Sequence, residues 1–99
     1  MRTSKEKAES LLAHIQQIAD ARIRPMMGEH VLYVDDKVIG QINHNELFIK
    51  VTNFGERFAG KLTKEPPYDG AKPAFKIPQE KIDDLVWMKD FITGTVKEL

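Results

Sequence analysis

The side chains that could do chemistry in this sequence are few, and their spacing matches no familiar catalytic or metal site. Its three histidines, His14, His30 and His44, form neither an HxH nor an HxxxH pattern of metal ligands. There is no cysteine, which excludes disulfides, thiolate metal ligands and a cysteine nucleophile. These residues predict that the protein holds no metal and no cofactor.

Adjacent acids at positions 35–36 and 83–84 are the remaining candidates for acid–base catalysis. Aspartates are favoured in tight turns and at helix N-caps, so both pairs have a structural explanation. The two serines lie in the polar N-terminal stretch, where a Ser-His-Asp nucleophile is implausible. No glycine loop ends in the GK[ST] tripeptide that binds phosphates and metal. By elimination, the sequence predicts a protein that is not an enzyme.

Three cationic residues occupy positions that suit a binding surface. Arg24 belongs to a short strand-like run, Lys50 lies in an alternating apolar run, and Lys72 follows a proline–glycine corner. One interpretation is ordinary solvated charge, with the aliphatic stems covering a sheet. The other is a shared site for an anion or an acidic peptide on the polar face of that sheet.

The stretch PPYDGAKPAF, residues 66–75, predicts a corner in the chain. Its first two prolines end a helix, Asp69-Gly70 supplies a turn, and Pro73 begins a strand where a missing donor does least harm. Tyr68 and Lys72 are not needed for the turn. The alternative is therefore that these two side chains flank a binding surface.

Trp87 and Phe91 lie four residues apart on the last predicted helix. One interpretation is a broad buried face packed between the sheet and the first helix. The other is an exposed aromatic patch that binds a partner or a second copy of the chain. The sequence leaves both open.

The elements that must position these residues follow from the hydrophobic periodicity. It predicts a helix from Thr3 or Ser4, strands at ARIRPMM, HVLYV, KVIGQI and ELFIKV, a helix capped by Asn53, a strand at AFKI, and a helix from Asp83 or Asp84 toward Leu99. Short polar links between the strands favour an antiparallel sheet, and Gly40 within a strand predicts a bulge or a close neighbour. The fold class is therefore α+β.

Length and charge narrow the function further. Ninety-nine residues predict a single domain spanning 1–99, and its 15 basic and 15 acidic residues balance. A nucleic-acid partner is therefore not expected, because phosphate contacts need a basic excess. No stretch reaches the length of a membrane span, and no signal peptide is evident, so a cytoplasmic protein without membrane contact is expected.

The segment from Arg24 to Lys50 resembles the TfoX N-terminal domain family. The similarity consists of an arginine–methionine–glycine turn at RPMMGE, the Leu32-Tyr33 strand, and the strand ending at Phe48-Ile49-Lys50. PPYDGAKPAF is similar to a proline–tyrosine–glycine–alanine–lysine segment of short, single-domain members. The resemblance covers nearly the whole chain.

That resemblance implies an α-β(3)-α-β(2)-α arrangement, an antiparallel sheet with flanking helices similar to secretion-chaperone-like folds. Full-length TfoX proteins regulate natural competence alongside a cyclic-AMP receptor transcription factor. The sequence ends at Leu99, so the helical C-terminal domain of those proteins is not expected here.

The sequence therefore predicts a small regulatory or adaptor domain that acts by binding another protein, with a homodimer as a further option. The candidate binding surface comprises Arg24, Lys50, Tyr68, Lys72, Trp87 and Phe91. The alternative is an accessory role in transcriptional or competence regulation with nucleic-acid contact.

Overall fold

The computed structural model describes residues 3–99 and confirms an α+β fold. The helices are α1 (Lys5–Gln16), α2 (Asn53–Ala59), α3 (Gln79–Ile82) and α4 (Leu85–Lys97). The strands are β1 (Ala21–Met26), β2 (Glu29–Val34), β3 (Lys37–Asn43), β4 (Glu46–Ile49), β5 (Lys64–Glu65) and β6 (Ala74–Ile77). Within this described range no helix is long and apolar enough to cross a lipid bilayer.

The strands form one antiparallel sheet in the order β1-β2-β3-β4-β6-β5. Four strands precede α2, where the family resemblance implies three, because Ala21–Met26 of the run ARIRPMM pairs with β2. β5 has only two residues and pairs with β6; its short sequence gives no period-2 signal. β1 is an edge strand, as expected from Pro25, which has no N–H to donate to a further strand.

Three two-residue hairpins connect β1 to β4. Both central residues of each have positive φ: Met27 51° and Gly28 86°, Asp35 51° and Asp36 63°, His44 52° and Asn45 64°. This is the conformation of type I′ turns, whose twist matches that of paired strands. The turns expected at the Asp-Asp and Asn-His-Asn sequences are confirmed.

Side-chain caps begin the three longer helices. Ser4, rather than Thr3, caps α1 and accepts a hydrogen bond from the backbone N–H of Lys7 at 3.1 Å. Thr52 caps α2, one residue before the expected Asn53. Asp84 caps α4, as one of the two expected positions. Each cap satisfies a backbone donor that the first helical turn leaves unpaired.

The face of the sheet that meets α1 and α4 is the core. Leu32, Ile42, Leu47 and Ile49 are all fully buried there, together with Leu11 and Ile15 of α1 and with Met88 and Ile92 of α4. Strands alternate side chains between two faces, so the neighbours of these residues must point the other way. The core therefore determines which residues face away from the helices.

A bulge at Ile39 and Gly40 keeps that alternation in register. Pairing passes from Tyr33 with Val38 to Leu32 with Gly40, leaving Ile39 as the extra residue. Ile39 is fully buried. A methyl group on residue 40 would overlap the carbonyl oxygen of Phe48, so only glycine fits. The bulge or close neighbour expected at Gly40 is confirmed.

We expect Gly40→Ala to lower the free energy of unfolding by about 2–3 kcal/mol, because the β3–β4 backbones would have to separate. The matched control is Gly70→Ala, which has open space around it and only the strain of its φ of 89°. It should cost about 1 kcal/mol. Urea denaturation of the two variants checks this, and equal losses would contradict the close approach at Gly40.

Candidate functional site

The face of the sheet opposite the helices carries a groove of about 1170 Å³. Its floor includes Val31, Gln41 and Phe48, which are register partners in a row across β2, β3 and β4. Each of these residues is next in sequence to a buried core residue, so the row faces away from the helices. The groove is therefore a direct product of strand alternation.

One side of the groove is formed by residues 66–73, called here the corner segment. This segment connects β5 to β6, yet the side-chain amide of Asn43 on β3 donates a hydrogen bond to the carbonyl oxygen of Pro67 at 3.2 Å. Because β4 lies between β3 and β6 in the sheet, this hydrogen bond requires the corner segment to cross over β4. Pro67 is buried. Phe48, which lines the same groove, is only 4% exposed.

The tip of the corner segment is a tight turn. The backbone N–H of Ala71 donates to the carbonyl oxygen of Tyr68 at 3.1 Å, and Gly70 has the φ of 89° that a type II turn requires. The predicted corner is thus confirmed. Both Tyr68 and Lys72 line the groove, so the corner also supplies part of its surface.

The predicted cationic residues fall into two groups. Lys50, at the end of β4, and Lys72 both line the groove and are exposed. Across residues 3–99, no carboxylate forms an ion pair with either of them. Arg24 pairs in register with Val31 and shares this sheet face, but it lies outside the groove lining.

Lys76 on β6 shows how a lysine on this face is otherwise used. Its ammonium group contacts the carboxylates of Glu46 at 3.0 Å and Glu65 at 3.1 Å. Hydrogen bonds to Glu46 and then Glu65 raise the pKa of Lys76. This lysine links β4 and β5 across β6, and its charge is compensated by two carboxylates of the protein itself.

Large exposed apolar side chains gather around the groove. Of the seven within residues 3–99, four line it: Met26, Met27, Val51 and Tyr68. Met27 is 98% exposed and Tyr68 is 56% exposed. Isolated exposed apolar residues need no explanation, but a cluster at a concave surface is typical of a binding site.

At the end of the groove where the β1–β2 and β3–β4 turns lie, the carboxylate of Glu29 holds the backbone in place. It accepts hydrogen bonds from the backbone N–H of Thr3 at 3.2 Å and of His44 at 3.0 Å. Burial raises the pKa of Glu29, but hydrogen bonds from Thr3 and His44 outweigh that effect and leave the pKa below its ordinary value. The negative charge of Glu29 is therefore already engaged in holding the turns and α1 together.

Trp87 and Phe91 do not form the exposed patch that was one of the two expectations. Phe91 is 0% exposed and packs edge-on against Phe75, with ring centroids 5.8 Å apart. Trp87 is half-buried and stacks on Phe91 at 4.9 Å. Phe91 is therefore corrected to a core residue, because its helix face is covered by α2 and the sheet.

Several groove residues escaped the sequence analysis, among them Val31, Gln41 and Met27. Strand alternation in ELFIKV puts Phe48 and Lys50 on the face opposite Leu47. It could not show that the corner segment covers part of that face, because the Asn43–Pro67 bond joins residues 24 positions apart. No local pattern encodes such a contact.

Glu29→Gln should lower the free energy of unfolding at neutral pH by about 1–2 kcal/mol, because charged acceptors form the stronger hydrogen bonds. The folded-state pKa of Glu29 is depressed, so its stabilisation is present above the ordinary pKa of 4.5 and is lost as the pH falls through the lower value. The two proteins should therefore converge in acid.

Urea denaturation at a series of pH values checks this prediction. Glu9→Gln, on the exposed surface of α1, is the matched control and should follow the wild type throughout. A difference between wild type and Glu29→Gln that persists undiminished in acid would show that the carboxylate is not the source of the stabilisation.

Comparison with known proteins gives one family relationship. No protein-family model matches the sequence. A relative from Spirochaeta aurantia, an uncharacterised 12.7 kDa protein in the trpE 5′ region, is 31% identical over 78 residues, which cover 79% of this chain and 67% of the relative. This chain belongs to the same family as that 12.7 kDa spirochaete protein.

Proposed function

We propose that the protein is a small non-enzymatic adaptor or regulatory domain that binds another protein in the groove on the open face of its sheet. The observation that carries the proposal is the clustering of four of seven exposed large apolar side chains around that groove. Contact of such side chains with water is unfavourable, and their burial by a partner lowers the free energy of the complex.

The kinds of residue around the groove support a protein partner. Methionine and tyrosine, which are enriched at protein interfaces, form its rim at Met26, Met27 and Tyr68. Methionine side chains are flexible and adapt to differently shaped apolar surfaces. The methionine side chains of the rim can therefore adjust to the shape of a partner.

The likeness to the TfoX N-terminal domain supports a regulatory role of this kind. Its matching residues include the Met27-Gly28 hairpin, Lys50, and the corner segment with Tyr68 and Lys72, all of which line the groove. We propose that the protein is a short relative of those domains. The proposal taken from this likeness is a regulatory class of function.

Truncation of two of the three rim side chains should weaken partner binding. With Met27→Ser and Tyr68→Ser together, we expect the amount of a specific protein captured from a lysate of the encoding organism to fall at least about tenfold, because two anchoring contacts are lost. Val86→Ser is the matched control, since Val86 is 75% exposed on α4, away from the groove. The wild type, the double variant and Val86→Ser should all unfold at the same urea concentration.

The capture is read by mass spectrometry with and without nuclease treatment. A protein held equally by the wild type and the double variant would contradict the groove as the binding surface. A captured species that disappears with nuclease would instead favour a nucleic-acid contact. Failure to enrich any protein would also count against the adaptor role.

A further inference from the structure

We propose that the groove binds an extended, mainly apolar protein segment that carries an acidic side chain, held between Lys50 and Lys72. This inference rests on the proposed adaptor function and specifies the chemistry of the partner. Three properties of the groove carry it: its size, its charge and the position of its lysines relative to its apolar surface.

The size of the groove favours a segment of chain over a compact small molecule. Its volume of about 1170 Å³ lies above the roughly 300–1,000 Å³ typical of small-molecule pockets. Six residues of extended chain span about 20 Å, which fits within the protein's extents of 31 × 30 × 25 Å. An extended segment would also place alternate side chains toward the floor.

The charge of the groove selects an anionic group. Among its lining residues, Glu29 is the carboxylate, and hydrogen bonds to Thr3 and His44 already engage it. Lys50 and Lys72 are exposed, with no ion-pair partner within residues 3–99. The uncompensated charge in the groove is therefore positive, and it lies at Lys50 and Lys72.

A single carboxylate fits that charge better than a polyanion does. Two lysines, Lys50 and Lys72, line the groove, and the 15 basic and 15 acidic residues of the chain balance, so the basic excess that a phosphate backbone requires is missing. Apolar groove residues lie beside both lysines in sequence, with Val51 following Lys50 and Pro73 following Lys72. A bound segment would thus meet apolar surface and positive charge together.

The groove also has two distinct ends. Glu29 begins β2 and His44 lies in the β3–β4 turn, both at one end of these strands, whereas Lys50 follows the opposite end of β4. An acidic side chain is attracted by the lysines at one end of the groove and repelled by the Glu29 carboxylate at the other. This polarity fixes the end of the groove at which the acidic side chain of the segment lies.

Selection from a random twelve-residue peptide library displayed on phage tests the inference, because displayed peptides contain acidic side chains but no free C-terminus. We expect peptides selected by the wild type to combine apolar residues with Asp or Glu. Backbone amide shifts of Val31, Gln41 and Phe48 on binding a selected synthetic peptide should place it in the groove. Acid enrichment should vanish with Lys50→Gln/Lys72→Gln.

The charge contribution is then measured on that same synthetic peptide. The double lysine variant should bind it about five- to tenfold more weakly, as expected for two exposed charged contacts, and moderate salt should weaken wild-type binding. The matched control is Lys5→Gln/Lys89→Gln, which removes two exposed lysines from α1 and α4. Its affinity should equal that of the wild type.

The outcomes separate this inference from the adaptor proposal. Peptides that bind in the groove without acid enrichment, or equally well to the double lysine variant, would overturn the carboxylate inference and leave the adaptor function standing. If no peptide shifts the groove amides, both proposals fail. Acid-dependent binding that the lysine variant loses and the control keeps would establish the inference.

Discussion

The register of the first four strands is the constraint on which the rest of the structure depends. Two-residue hairpins leave no freedom in the pairing of neighbouring strands, so each side chain is assigned to one face of the sheet. A slip of one residue would exchange the two faces. Leu32 and Leu47 would then meet solvent, and the groove floor would be lost along with the core.

The bulge at Ile39 shows how strictly that constraint is met. Ile39 and Ile42 are three positions apart in sequence. In a regular strand, residues at an odd offset point to opposite faces, so without the extra residue in β3 one of the two would leave the core. The bulge lets both be fully buried. Gly40 makes this possible by allowing the Phe48 carbonyl to approach closely. The bulge in β3 therefore sets the arrangement of side chains both in the core and in the groove.

Local patterns in the sequence predicted most elements of the fold but not the groove itself. Hairpins at Asp35-Asp36 and at His44-Asn45, and the Asp84 cap, follow from the conformational preferences of short polar residues. α3 and β5 are too short to produce a periodic signal. The groove depends on the long-range Asn43–Pro67 bond, and the burial of Phe91 depends on helix packing, neither of which a local window encodes.

The edge formed by β1 has a consequence for how the protein behaves at high concentration. An unpaired strand beside an apolar surface is ordinarily a template for the addition of further chains. Here Pro25 lacks a donor, the amide side chain of Gln16 donates to the Ala21 carbonyl, and exposed Arg24 places a positive charge on the edge. The protein can thus expose an apolar groove on one face while the β1 edge of its sheet resists growth into fibrils.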